Sequence, residues 1–233
     1  MITVQLTGRL GNQLFGIAAA FAHAKRTGHE FAMPVFDYPR ASLPESHAFM
    51  LGQEYENYDE PHFHHAPIPR SINNQRLRGY FQSEKYFAEF IQEIRAMLWP
   101  PIIMPGWVAV HIRRGDYVGN EHYVNLGPDY YAQAMSIIKP TEGYLFFSDD
   151  IEYARKTWGH MGERARFCDE TDPVHSMQLM AGCDGGIGAN SSFSIWSAIL
   201  SGHDRWVFPG PWFRGPSGSL DTSDLIPARW RRI

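Results

Sequence analysis

The sequence predicts an α/β protein whose second half contains a parallel sheet. Three observations lead to this fold class. From Trp107 onward, short apolar segments typical of strands alternate with segments that have the apolar period of helices, a pattern typical of βαβ units. The chain is 44% hydrophobic and 14% aromatic, which is enough to build a core and excludes general disorder. Its 233 residues suit one large domain or two small ones.

The first half starts with a strand followed by a helix. Residues 2–6 form a short β-prone run that leads into a glycine-containing turn over residues 7–12. The apolar, alanine-rich segment 13–25 predicts a helix, and Gly28 marks its end.

An irregular segment and a second helix complete this half. Residues 30–78 hold several prolines, histidines and tyrosines with little periodicity, so we expect a loop-rich segment. In residues 83–98 the apolar side chains fall on one face of a helix, which Pro100 and Pro101 would end. We expect the domain junction in the proline-containing run 99–106, with domains at 1–105 and 106–233.

The second half alternates regularly. Its apolar runs predict strands at 108–112, 144–148, 165–168, a short segment ending at Ile187, and 206–208. The segments between them predict helices at 130–138, 150–158, 174–181 and 193–200. This half is therefore expected to be a nucleotide-binding α/β domain.

Charge and cysteine content exclude several classes of protein. The chain has 21 Lys and Arg against 25 Asp and Glu, a net charge of −4, so a nucleic-acid-binding protein is not expected. Two cysteines, Cys168 and Cys183, are too few for a disulfide framework and fit buried thiols in a reducing compartment. The residues after Met1 lack a signal-peptide pattern, and no apolar run could span a bilayer. We expect a cytoplasmic protein without a transmembrane segment.

Polar segments follow the carboxyl ends of several predicted strands, where open α/β sheets bind their ligands. These segments are 8–13, 113–117, 148–150 and 190–194. Paired arginines are unusual in ordinary turns, and a net-acidic protein that concentrates arginine in one place suggests a compact anionic ligand.

The segment after strand 108–112 is the most informative. Arg113 and Arg114 lie beside Asp116, which can orient one guanidinium while the other binds a phosphate through its planar fork. His111 lies on the same face of the strand as Arg113. A purely structural salt bridge is the alternative interpretation.

Two other segments fit a phosphate site less specifically. Gly8 and Gly11 would let the backbone approach a ligand, with Arg9 and Asn12 as donors beside a helix N-terminus, although an ordinary strand-to-helix turn explains them equally well. Asn190, Ser191 and Ser192 precede a helix whose free N–H groups could bind phosphate, and simple N-capping is the alternative.

Metal ligands are scarce. The sequence contains no Asp-x-Asp triplet, and Asp149 and Asp150 are adjacent, so on a strand they would point apart. The histidine cluster 62–65 lies in the irregular segment and has no acidic triad nearby. We therefore predict no metal, so that arginines and helix N-termini would neutralise a diphosphate.

The polar segments together resemble the signature segments of the α-1,2-fucosyltransferase family. The matching segments, in chain order, are 8–13, 111–117, 148–150 and 190–196, and 79–83, 86–87, 224–227 and Trp230 resemble bacterial members. The resemblance implies a GT-B-like fold of two Rossmann-like halves, with the donor site in the C-terminal half and the acceptor side in the N-terminal half. It also implies metal-independent, inverting transfer of L-fucose from GDP-fucose to a glycan hydroxyl, typically the 2-OH of galactose.

The resemblance also implies roles for individual residues. Arg113 would bind the β-phosphate, Arg114 and His111 would support the diphosphate, and Asp149 would lie near the nucleoside. The remaining donor-binding residues are expected to be Arg9, Gly11, Asn12, Asp150, Asn190, Ser191, Ser192 and Phe193. For the base that deprotonates the acceptor, Asp116, His111 and Asp37 are alternatives.

Some positions depart from the family pattern. Ser176 stands where the family commonly has an acidic residue for the guanine, so either Asp172 or His175 substitutes or the selectivity for the base is relaxed. Gly185 stands where the family has a histidine. Two other functions therefore stay open: a transferase for another GDP-sugar, and a non-catalytic module that binds glycans or nucleotides.

Overall fold

The computed structural model describes residues 1–39, 41–45 and 54–233 and divides into two compact units. The first unit comprises the described part of Met1–Trp99 together with Asp221–Leu225. The second comprises Pro100–Leu220 and Ile226–Ile233.

This division differs from the expected boundary at residues 105 and 106 in two places. Residues after Trp99 belong to the second unit because the Ile102 amide donates to the Gln178 carbonyl (3.0 Å). A late segment returns to the first unit, where a carboxylate oxygen of Asp224 accepts from the His65 amide (2.9 Å). Both differences depend on hydrogen bonds between residues far apart in the chain, which the sequence does not show.

The first unit contains a parallel sheet with the strand order β1-β3-β2. Its strands are β1 (Ile2–Val4), β2 (Glu56–Asp59) and β3 (Gln75–Arg78). Helix α1 (Leu10–Thr27) packs against β1 and ends at Gly28 in the left-handed conformation, as its sequence predicted.

The prediction of irregular structure over residues 30–78 is wrong at β2 and β3; residues 40 and 46–53 lie outside the described part. Both strands are too polar for a periodic signal, since β2 is an exposed edge strand and β3 contains Leu77 as its only apolar residue. The sheet position of β3 is stabilised by buried Gln75, whose Oε1 lies 3.0 Å from His23 Nε2.

The predicted helix 83–98 is interrupted. The structure shows 3₁₀ turns at Glu84–Tyr86 and Ala88–Phe90, followed by α2 (Ile91–Met97). The helical backbone stops between the two turns because Phe87 has a φ of −143°. Phe87 is fully buried, so its packing in the core outweighs the helical period of the segment.

The second unit is built around a six-stranded parallel sheet with the order β6-β5-β4-β7-β8-β9. The strands are β4 (Trp107–Ile112), β5 (Gly143–Ser148), β6 (Ala165–Phe167), β7 (Gly186–Ile187), β8 (Trp206–Phe208) and β9 (Arg231–Arg232). The helices are α3 (Pro128–Ile137), α4 (Ile151–Trp158), α5 (Pro173–Ala181) and α6 (Ser192–Ser201). Every element predicted for this half is present within a few residues of its expected bounds.

The order of strands reverses at β4. From β4 the chain runs to β5 and β6 on one side, and then to β7 and β8 on the other. The core on this sheet includes Val110, Phe146 and Ile187, all fully buried. Strand β9 was not predicted, because its two exposed arginines carry no apolar signal and its pairing with β8 is long-range.

Candidate active site

Three of the four polar segments come together in the second unit. They follow β5, β4 and β7, which are neighbours in the sheet, so their carboxyl ends meet at one edge. This edge is also where the strand order reverses, the place at which open α/β sheets bind ligands. The segment over residues 8–13 belongs to the first unit.

Arg113 is held between two carboxylates. Its Nη1 lies 2.7 Å from Asp149 Oδ2, and its Nη2 donates to Asp116 Oδ1. The guanidinium carbon lies 5.3 Å from the ring centroid of Tyr117. The Arg113 side chain is 14% exposed, whereas that of Asp116 is 52% exposed. Arg113 is therefore oriented by its surroundings but still reaches the surface.

Arg114 has an independent set of partners. Its backbone N–H donates to Asp149 Oδ1 (2.8 Å), and its Nε donates to Asp150 Oδ2 (3.1 Å). The guanidinium carbon lies 3.6 Å from the ring centroid of Tyr153, a close cation–π contact. Sequence analysis did not single out Tyr153. The spacing could have pointed to it, because Tyr153 follows Asp150 by three residues on a predicted helix and the two side chains therefore lie on one face.

These contacts surround the arginine pair with negative charge. Two guanidinium groups face the three carboxylates of Asp116, Asp149 and Asp150. An anionic ligand that binds both Nη atoms of Arg113 must therefore replace a carboxylate partner. Asp149 bonds to both arginines and is 25% exposed, whereas Asp116 is more exposed and pairs with Arg113. Asp116 is thus the partner that is displaced most easily.

His111 lies inside the unit behind Arg113. Its Nδ1 is 2.6 Å from Ser194 Oγ, which in turn accepts from the Ala189 N–H (3.1 Å). Burial, reinforced by the positive charge of Arg113 and opposed by Asp149, lowers the pKa of His111 to about 4. The ring is therefore neutral at pH 7 and connects β4 to the first turn of α6.

The N-terminus of α6 is capped by Ser191, whose Oγ accepts from the Phe193 N–H (3.3 Å). Asn190 is 1% exposed, and its Nδ2 donates to the carbonyls of Val124 and Trp212, both at 2.9 Å. The Asn190 side chain, expected among the donor-binding groups, thus holds two neighbouring segments in place beside the helix.

The segment over residues 8–13 forms a tight turn into α1. Gly8 has a φ of +74°, and a Cβ there would lie 2.4 Å from Asn12 Nδ2, so the turn requires glycine. Asn12 Oδ1 accepts from Gln82 Nε2 (2.8 Å), a partner that sequence analysis missed. Arg9 occupies the N-cap position and is exposed, as is Asp37 elsewhere in this unit.

The residues at and around the positions that depart from the family pattern contact neighbouring residues. Asp172 caps α5 by accepting from the His175 N–H (3.1 Å), and His175 Nδ1 lies 2.5 Å from Glu170 Oε2. Glu170 is an acidic side chain beside Ser176 that sequence analysis did not consider; its carbonyl accepts from Ser176 Oγ (3.4 Å). At Gly185 a Cβ would lie 2.9 Å from the Arg205 carbonyl oxygen.

Other features of the described residues concern thiols, metals and membranes. Both cysteines are free, and burial raises the pKa of Cys183 to about 12. Within residues 1–39, 41–45 and 54–233, no three His, Cys, Asp or Glu side chains are grouped to hold a metal ion. None of the helices described is both long enough and apolar enough to cross a bilayer.

Comparison with known proteins identifies the family. The model of "Glycosyl transferase family 11" matches residues 45–208. An α-1,2-colitosyltransferase from Escherichia coli is 25% identical over 100% of this chain and 99% of its own length. The galactoside α-(1,2)-fucosyltransferase 2 of Oryctolagus cuniculus is 24% identical over 88% of this chain and 68% of its own length.

Solved structures agree on the fold. The fucosyltransferase NodZ from Bradyrhizobium superimposes with a TM-score of 0.53 at 12% identity, covering 86% of this chain and 92% of that one. A likeness at this identity shows the fold alone, and it confirms the expected GT-B-like architecture. The predicted resemblance to α-1,2-fucosyltransferases is also confirmed, and the chain belongs to glycosyl transferase family 11.

Proposed function

We propose that this protein is an inverting, metal-independent glycosyltransferase that moves L-fucose from GDP-fucose to a glycan hydroxyl, with the 2-OH of galactose as the acceptor. The observation that carries the proposal is the pair of oriented arginines at the switch point of the second sheet, beside the N-terminus of α6. Arginine forks and free helix N–H groups are the groups that bind a diphosphate.

In the proposed reaction, the acceptor oxygen attacks the anomeric carbon from the side opposite GDP. The new C–O bond forms as the bond from the anomeric carbon to the β-phosphate oxygen breaks, and the bonding electrons stay with GDP. Arg113 and Arg114 stabilise the negative charge that develops on this leaving group. Binding of the phosphate displaces Asp116 from Arg113, because that carboxylate is the more exposed partner.

A base must remove the proton from the acceptor hydroxyl, and the candidate residues differ in how well they could do so. His111 is buried, and its Nδ1 faces Ser194, so we assign it to orienting the first turn of α6. Asp116 and Asp37 are exposed carboxylates that can reach solvent. Displacement by the donor phosphate would free Asp116 as the acceptor arrives, which makes it the preferred candidate.

Calorimetric titration of GDP, with UDP and ADP as controls and EDTA present, tests the donor site. The wild type is expected to bind GDP selectively. Arg113→Ala removes a charge-assisted contact worth about 1.5–3 kcal/mol, so its GDP affinity should fall roughly 10- to 150-fold.

Arg166→Ala is the matched control. Arg166 lies over Trp107 at the amino end of the same sheet, and its replacement should leave GDP affinity within about twofold of the wild type. Equal losses in the two variants, or GDP binding that needs a divalent metal, would overturn the proposal.

A second donor is favoured by one observation. The relative that matches over 100% of this chain is an α-1,2-colitosyltransferase, so another GDP-deoxyhexose such as GDP-colitose is the alternative donor. Turnover with GDP-fucose, GDP-colitose and GDP-mannose on galactosides, with the product linkage assigned by NMR, separates these functions. GDP binding without transfer from any donor would indicate a non-catalytic module.

A further inference from the structure

A row of aromatic rings extends from Arg113 across the second unit. The Arg113 guanidinium lies over Tyr117, and Tyr117 stacks on Tyr123 with a centroid distance of 4.3 Å and an interplanar angle of 9°. Phe213 follows, with its centroid 5.6 Å from that of Tyr123. The row therefore starts at the arginine proposed to bind the β-phosphate.

The row is built into the fold. The Tyr117 hydroxyl donates to the Asn190 carbonyl (3.0 Å), directly before α6. Asn190 Nδ2 in turn binds the carbonyls of Val124 and Trp212, the residues adjacent to Tyr123 and Phe213. Tyr123 and Phe213 also form an antiparallel β-bridge. The segments that carry the two outer rings are thus hydrogen-bonded to the residue that precedes α6, the helix whose N-terminus is proposed to bind the diphosphate.

Exposure changes along the row. Tyr117 is only 8% exposed, whereas Tyr123 and Phe213 are partly exposed. The inner ring therefore supports Tyr123, which in turn contacts Phe213, and the two outer rings offer rigid apolar surface. Such surface binds the C–H-rich parts of a ligand and disfavours an added hydroxyl group.

The first group attached to a bound β-phosphate is the sugar of the donor. Tyr123 is one stacked ring beyond the ring under Arg113, so its centroid lies within about 10 Å of the Arg113 guanidinium, a distance that a phosphate and its hexose together can span. From this we infer that Tyr123 and Phe213 form the sugar subsite of the nucleotide donor and select sugars whose C6 is a methyl group. The inference rests on the proposed function, since it takes the donor to be a GDP-sugar.

The test uses GDP-L-fucose and GDP-L-galactose, two donors that differ only in a hydroxyl group at C6. Their dissociation constants, and that of GDP, are measured by calorimetry for the wild type, Tyr123→Leu and Phe213→Leu. The wild type should prefer GDP-L-fucose by about tenfold or more. In both leucine variants this preference should fall below about threefold, with the GDP dissociation constant changed less than twofold.

Conservative variants separate this role from a general effect on folding. Tyr123→Phe and Phe213→Tyr keep the rings and should keep the preference, and thermal melting verifies that all four variants fold. A wild type that binds both donors equally, or leucine variants that keep the full preference, would overturn the inference. The test measures binding and does not require turnover. Absence of sugar transfer would therefore count against the proposed function, whereas the donor preference would still test the sugar subsite.

Discussion

The close contact between Arg114 and Tyr153 shows how a single uncharged residue can orient an arginine of the proposed phosphate site. A guanidinium 3.6 Å from an aromatic centroid is restricted in rotation, and its Nε is fixed by Asp150 at the same time. Orientation before binding reduces the entropy lost when a ligand is bound. We therefore expect Tyr153 to act as a positioning residue, through Arg114.

Replacement of Tyr153 tests this role. Tyr153→Leu removes a cation–π contact worth about 0.5–2 kcal/mol, so GDP affinity should fall roughly 2- to 30-fold. Tyr153→Phe keeps the ring face and should bind GDP within about twofold of the wild type. Calorimetry on both variants is the measurement, and unaltered binding by Tyr153→Leu would show that Arg114 needs no aromatic support.

At the scale of elements, α5 packs so closely on the segment before β4 that the contact requires glycine. A Cβ at Gly182 would lie 1.7 Å from the carbonyl oxygen of Ile102. Backbone atoms on both sides leave no side chain that could rotate away. The helix and the segment must separate if any side chain is added there.

Gly182→Ala should therefore destabilise the protein by about 1–3 kcal/mol or more, as overpacked cores do. Gly159, in the right-handed helical region after α4, has no atom within 4 Å of its Cβ position, so Gly159→Ala should be neutral or slightly stabilising. Urea denaturation of the two variants checks this contrast. Equal midpoints would mean that α5 adjusts at no cost.

At the scale of the whole molecule, buried neutral histidines make stability depend on pH. The pKa of His111 is lowered to about 4 by burial, and burial also lowers the pKa of His23 in the first unit. Between an unfolded pKa of about 6.5 and the folded value, the unfolded chain binds more protons. Stability is therefore complete above that unfolded pKa and falls as the pH decreases toward 4.

For His111 the expected loss between pH 7 and pH 4 is about 3 kcal/mol. His111→Gln keeps a polar partner for Ser194 but cannot titrate, so its melting temperature should fall less over the same range. Melting curves of both proteins from pH 4 to pH 7 make the comparison. Parallel curves would mean that folding does not lower the pKa of His111.

Helices and strands were predictable from the sequence where they are buried. Apart from β9, the strands and α-helices of the second unit were predicted one by one. Its strands are short apolar runs between helices with clear ends, as in α6, which Ser191 starts and Gly202 ends. The polar segments at its strand ends were found for the same reason, since a strand that ends abruptly shows where its loop begins.

What depends on partners distant in the chain was decided only by the tertiary structure. Strands β2 and β3 are too polar to show a period, and they exist because each finds a backbone partner. Two partners of the arginine pair come from segments more than 30 residues away, namely Asp149 beside Arg113 and Tyr153 under Arg114. Local pattern encodes where an element lies and where it ends. Which side chains meet depends on the order and register of strands, which are set by packing over the whole molecule.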